Sequence, residues 1–206
     1  MHFAGAPSWE LREDATHSIL VALYVRDALG IDEPDELPRL LPSVDPITHA
    51  HPGRARAVLE QQWMWWWRST VDPVRHPSTS PLELVAADEG LRGIALPAAG
   101  FGELRETLLA IGGSAGNWAA QQHRRYGRVA MGMMLDRAFT VQHLVREREA
   151  EMGRAAENFR LTVEVLPFAQ PGLWWIGAST IAVSESVRID EEAYGEALRP
   201  VIRRLA

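Results

Sequence analysis

The sequence predicts an α+β fold. A helical N-terminal part of about four to five helices leads into a small C-terminal antiparallel meander covered by a final helix. Three observations carry this. Apolar residues recur at helical spacing over about 9–152, punctuated by proline and glycine. Phe159, Leu161, Val163 and Val165 then alternate with Arg160, Thr162 and Glu164, the period of a half-buried strand. Last, Tyr194, Leu198, Val201, Ile202 and Leu205 form one stripe behind Asp190, a good N-cap residue. The 206 residues suit a single domain, 1–206, with the meander and final helix over about 157–206.

Residues 1–8 read as a loose start. A helix follows from about Asp14 to Leu29, with Gly30 placed to stop it. Pro34, Pro38, Pro42, Pro46 and Pro52 make 31–53 a long irregular connection. A second helix spans about Arg54 to Ser69. Pro73, Pro77 and Pro81 mark another irregular stretch, and 82–98 fits short strands or a helical turn equally well. Gly102–Ile111 reads as a helix, broken at Gly112 and Gly113. Two more helical runs follow, about Asn117–Tyr126 and Val129–Met152; the second ends in the alternating charges of a solvated face, Arg146 to Glu149. Near the C-terminus, Gln170-Pro171-Gly172 is a turn, and Leu173–Ile176 and Thr180–Val187 are β-like. Trp174 and Trp175 are neighbours on a strand, so they point to opposite faces. One is expected under the final helix. The other is exposed or covered by the helical part.

Composition narrows the function. Apolar residues make up 47% and charged residues 23%, enough for a real core. The formal net charge of −6 argues against general nucleic-acid binding. With no cysteine, disulfides, thiolate zinc sites, iron–sulfur clusters and cysteine nucleophiles are excluded. All 21 basic residues are arginine, which excludes a lysine Schiff base and a P-loop lysine. The missing lysines, with asparagine only at 117 and 158, fit GC-rich coding. No leader is visible in 1–10, and the longest apolar run, Ile19–Val25, is too short to span a bilayer. The expectation is a cytoplasmic, soluble protein with no membrane partner and no cofactor.

The most unusual segment is Trp63-Met64-Trp65-Trp66-Trp67-Arg68, which holds four of the eight tryptophans. On a helix, Trp63, Trp66 and Trp67 share a face, and Trp65 lies opposite its middle. One core face cannot bury all four, so Trp65 is expected to meet a partner chain or ligand. Trp63, Trp65, Trp66, Trp67 and Arg68 are therefore the candidate binding residues.

Gly112-Gly113-Ser114-Ala115-Gly116 matches G-x-S-x-G, with Asp136 and His143 downstream in the order of α/β-hydrolase triads. Over about ten residues the string resembles the nucleophile elbow of such esterases, which implies a Ser114 nucleophile. The sequence departs from that family in four ways. The residues before Ser114 read as helix, Asp136 and His143 fall on one predicted helix, no glycine-rich oxyanion loop precedes them, and the repeating strand–helix pattern of an α/β sheet is missing. A helix C-cap followed by an N-cap explains the same residues.

His49-Ala50-His51, with Asp45, Asp72 and His76, offers metal-ligand types at weakly informative spacing. No metal site is assigned on that basis. Gln121 to Arg128 is the most basic stretch and reads as a helix end favouring cations. Met131, Met133 and Met134 read as core filling. The leading functional expectation is a non-catalytic protein-interaction or assembly subunit using the tryptophan helix, with a protein partner or homo-oligomer. The alternatives are a serine hydrolase using Ser114 and a small-molecule binder with an aromatic pocket to which Gln62 and Arg68 lend polar groups.

Overall fold

The computed structural model describes residues 9–47, 54–89, 92–133 and 140–206, and the fold is α+β. The first half holds β1 (Trp9–Asp14), α1 (His17–Ala28), α2 (Arg54–Val71) and the strands β2 (Leu82–Ala87) and β3 (Gly93–Pro97). Then come α3 (Gly102–Met133), α4 (Thr140–Met152), β4 (Phe159–Leu166), β5 (Leu173–Trp175) and β6 (Thr180–Ser184). Two helices, α5 (Glu185–Ile189) and α6 (Glu191–Leu205), close the chain. No helix among the described residues is long and apolar enough to cross a membrane.

The C-terminal strands do not form the expected antiparallel meander. They join a four-stranded mixed sheet of order β1-β4-β6-β5. β4 runs parallel to both β1 and β6, and only β5 pairs antiparallel, with β6. The chain leaves β4, passes to the outer strand β5, and returns between them as β6. Alternation reveals a buried face but not a strand's direction or neighbour. β1 itself lies where the sequence suggested the approach to the first helix; its six residues alternate too briefly to declare themselves.

The sheet is covered on both faces. Leu161, Val163, Val165, Ile181 and Val183 pack under Tyr194, Leu198, Val201 and Ile202 of α6, with Leu144 and Val145 of α4. The final helix thus lies where its stripe predicted. Ala182, Leu166 and Phe168 face α1, α2 and α3 instead. Trp175 joins the α6 side, with the Arg204 guanidinium 5.0 Å from its ring centroid. Trp174 joins the other side, edge-on to Phe168. Burial on two faces also explains Glu164, which alternation placed toward water but which is only 2% exposed. Its two carboxylate oxygens accept the Thr16 backbone N–H at 2.8 Å and the Thr16 hydroxyl at 2.7 Å. Burial pushes its pKa above the usual carboxylate value, and these bonds oppose the rise.

α1 ends as its glycine predicted. Gly30 takes φ 62°, and the N–H groups of Gly30 and Ile31 return to the carbonyls of Asp27 and Arg26, each at 3.0 Å. The irregular segment after it is pinned by charge. Arg26, 1% exposed, donates to the carbonyls of Leu37 and Pro38, while Asp27 accepts from the Leu40 N–H at 2.7 Å and from Arg26 Nε at 2.8 Å.

The largest difference from expectation is α3. It runs unbroken through Gly112-Gly113-Ser114-Ala115-Gly116, where the sequence suggested an end and a new start. Each interior glycine costs the helix about 1 kcal/mol relative to alanine. Packing offsets this. Leu104, Leu108, Ala115 and Ala119 are fully buried against α1 and α2. Gly112 and Gly116 face the β2–β3 hairpin: a Cβ at Gly112 would collide with Ala86, and one at Gly116 would lie 2.7 Å from Asp88 Cβ. The glycines are there because a strand crosses the helix too closely for any side chain. The expected helix over 129–152 is likewise two elements, α3 to Met133 and α4 from Thr140. Met131 is 76% exposed rather than core, and Met134 lies outside the described residues.

A matched pair of substitutions tests this account of α3. Gly113 meets nothing within 4 Å, so Gly113→Ala is expected to raise stability by about 1 kcal/mol. Gly116→Ala is expected to lower it by about 1–3 kcal/mol through overpacking against Asp88. Urea denaturation of both variants checks the opposite signs; two changes of the same sign would refute the close-approach explanation.

Candidate functional site

α2 carries the tryptophans because its burden is divided among neighbours. Trp63, Trp66 and Trp67 are 0%, 6% and 3% exposed, on the face turned to α1 and α3. Trp63 donates its indole N–H to the Ala22 carbonyl of α1 at 2.9 Å and stacks on Trp67 with ring centroids 5.7 Å apart. Trp65, on the far side, is 48% exposed. The candidate residues therefore separate: Trp63, Trp66 and Trp67 belong to the core, Trp66 also walling one cleft, Trp65 walls the other, and Arg68 is exposed and lines neither.

The first cleft, about 350 Å³, lies between Trp65 and the segments on either side of the hairpin. Gln61, Ser69, Ser78, Thr79 and Phe101 complete its wall, and none of its lining side chains is charged. Gln62 also lines it, but its amide is committed elsewhere. The Oε1 accepts the Leu104 N–H at 2.8 Å, capping the start of α3, and the Nε2 donates to Glu103.

A second cleft of about 350 Å³ adjoins the first and shares Ser69, Ser78 and Pro97 with it. Its wall includes Trp66, Thr70, Ile94, His17 and His76. Together the two form one groove along the C-terminal half of α2, roofed by β3 and its flanks.

His17, at the start of α1, is the group with the most constrained chemistry here. Its Nε2 lies 3.2 Å from the Gly116 carbonyl and 3.3 Å from Asp88 Oδ2. A carbonyl only accepts, so Nε2 carries the proton and Nδ1 is the bare nitrogen. Asp88 is 4% exposed; its Oδ1 accepts the Arg92 N–H at 2.7 Å, and its Oδ2 makes no hydrogen bond among the described residues and lies 3.3 Å from His17 Nε2. Burial is the largest influence on His17 and holds its pKa below the ordinary 6.5. Gly116 and Asp88 act against that shift, and Arg92 and His123 add to it. The arrangement is a neutral imidazole of fixed tautomer, backed by a carboxylate, at the wall of a groove. Neither His17 nor Asp88 was a candidate in the sequence. They sit 71 positions apart in unremarkable contexts, and only the α3–hairpin crossing brings them together.

The hydrolase elbow is not formed. Ser114 is exposed in the middle of α3, which also excludes the capping alternative. His143 is on α4, 3.4 Å from Glu147, and Asp136 lies outside the described residues. His49 and His51 also lie outside them, and no three metal-ligand side chains converge among those described. Of the basic stretch, Arg125 pairs with Glu185 at 2.8 Å, and Arg124 and Arg128 are exposed on α3. The chain matches no protein-family model, no curated protein and no solved structure, so the reading rests on this geometry.

His17 gives a measurable consequence. The unfolded chain takes up this proton near 6.5 and the folded chain only at lower pH, so the contribution to stability is complete above 6.5 and is lost as pH falls through the folded value. An NMR titration is expected to place the His17 midpoint below 6.5, and His17→Gln is expected to lose part of the acid sensitivity of unfolding. A midpoint at or above 6.5 would contradict the buried, neutral assignment.

Proposed function

We propose that the chain is a non-catalytic binding protein that holds a small ligand in the groove beside Trp65 and Trp66. One observation carries this reading: the half-exposed indole of Trp65 forms a wall of a concave, uncharged cleft that continues into a second cleft of equal size. Leaving half a tryptophan in water forgoes part of its burial energy, at about 25 cal/mol per Å². A ligand stacked on the ring recovers it. Clefts of roughly 300–1,000 Å³, mostly apolar with a few fixed polar groups, are the usual form of small-molecule sites. The remaining expectation for the tryptophan helix, docking of a protein partner or a second copy, is favoured by three exposed leucines, of which Leu82 also lines the second cleft. Leu82, Leu84 and Leu109 are 63%, 68% and 67% exposed on the hairpin and α3.

Substitution separates these roles. Trp65→Ala is expected to change unfolding free energy little, whereas Trp63→Ala is expected to cost about 3–5 kcal/mol as a core truncation. In a saturation-transfer NMR screen of neutral aromatic fragments, binding to the wild-type groove is expected to disappear in Trp65→Ala. Fragment binding that survives Trp65→Ala would remove the basis of the reading. Light scattering on a Leu84→Asp variant tests the second one: loss of a wild-type dimer would favour docking of a second copy instead.

A further inference from the structure

We infer that the groove is built to accept hydrogen bonds, and that its ligand is a small ring-bearing molecule carrying hydroxyl or amino donors. This rests on the ligand-binding reading above and names the chemistry of the ligand. Three hydroxyl groups of the groove, two of them on the shared wall, have already spent their protons. Ser69 Oγ donates to the Trp66 carbonyl at 2.9 Å, Thr70 Oγ1 donates to the same carbonyl at 2.8 Å, and Ser78 Oγ donates to the Ser80 carbonyl. A hydroxyl has one proton and two lone pairs, so what these groups retain is acceptor capacity. His17 agrees with them. Its proton sits on Nε2 beside Gly116 and Asp88, and Nδ1 has a lone pair and no protein donor among the described residues.

Two of these acceptors, Ser69 and Ser78, stand where the clefts meet, so a ligand spanning the junction meets them whichever end it enters. At the Trp65 end, the ring face is the negative part of the indole quadrupole and favours flat C–H-rich or cationic groups. The formal charge of −6 adds a field that disfavours anions. Gln61, Ser18, Thr79 and His76 also line the groove and can take either role, and the indole N–H groups of Trp65 and Trp66 can only donate. Where the clefts meet, the wall therefore favours donors over acceptors, and the acidic field disfavours carboxylates and phosphates.

The test uses four probes of one frame: 2-phenylethanol, 2-phenylethylamine, the methyl ether of 2-phenylethanol, and phenylacetate. Dissociation constants come from protein-observed NMR on the intact chain. The alcohol and the amine are expected to bind roughly tenfold more tightly than the ether, the scale of one net hydrogen bond, and phenylacetate most weakly. The double variant Ser69→Ala, Thr70→Val keeps the shape of the wall and removes two acceptors. It is expected to weaken the alcohol and the amine severalfold and to leave the ether unchanged, with the wild-type melting temperature confirming the fold. Equal binding of ether and alcohol, or tightest binding of phenylacetate, would overturn the donor assignment while leaving the groove a ligand site. Shifts from no probe at Trp65 would overturn both. Binding of the alcohol but not the amine, or of the amine but not the alcohol, would overturn the inference that the groove accepts both kinds of donor.

Discussion

The close crossing of α3 by the β2–β3 hairpin is the contact on which the rest of the molecule depends. It is possible only because Gly112 and Gly116 present bare backbone one helical turn apart, so that Ala86 and Asp88 rest directly on the helix. That approach sets three things at once. It places β3 over α2 and so creates the roof of the groove. It buries Asp88 and exposes the Gly116 carbonyl to His17, which fixes the imidazole's tautomer. It also keeps the long helix whole, because tertiary packing outweighs the poor helix propensity of its glycines.

How legible the molecule is in its sequence depends on how local the cause is. The alternation from Phe159 to Val165, the stripe from Tyr194 to Ile202, the stop at Gly30 and the opposed faces of Trp174 and Trp175 are readable because each follows from backbone period or conformational preference. The division of the tryptophan helix, with Trp65 outward, is readable for the same reason. The glycines of α3 are not. The same Gly-Gly-Ser-Ala-Gly string is compatible with a helix end, a nucleophile elbow or a close helix crossing, and only the partner strand distinguishes them. Sheet order and strand direction are likewise set by packing between distant segments. So is the burial of Glu164, which looks like an ordinary solvent-facing residue until Thr16 is seen against it. His17 and Asp88 were illegible as a pair because nothing near either residue marks it out.

The groove shows how polar bookkeeping inside a helix shapes what its surface can recognise. Serine and threonine in a helix commonly return their hydroxyl protons to the preceding turn, as Ser69 and Thr70 do here. The bond is local and structural, yet it converts an ambivalent hydroxyl into a one-sided acceptor. A wall built from such residues acquires a preference that no charge distribution reveals. In the same way, Gln62 lies at the cleft but spends its amide on the start of α3, so proximity to a site does not by itself make a side chain part of its chemistry.

The parallel pairing of β1 with β4 has a consequence for how the chain is made. Thr16 and Glu164, at the end of that pairing, are 148 positions apart. At roughly 5–20 residues per second, a ribosome that has released β1 needs about seven to thirty seconds to deliver its partner strand. Throughout that interval the first strand and the sheet-facing side of α1 have no sheet to rest on. The N-terminal half must therefore stay competent on the packing of α1, α2 and α3 alone, and the last strands to emerge act as the latch that completes the first. Long-range pairings of this kind slow folding, because loop closure comes before the contacts that reward it. Late truncation would then injure the beginning of the chain as much as its end.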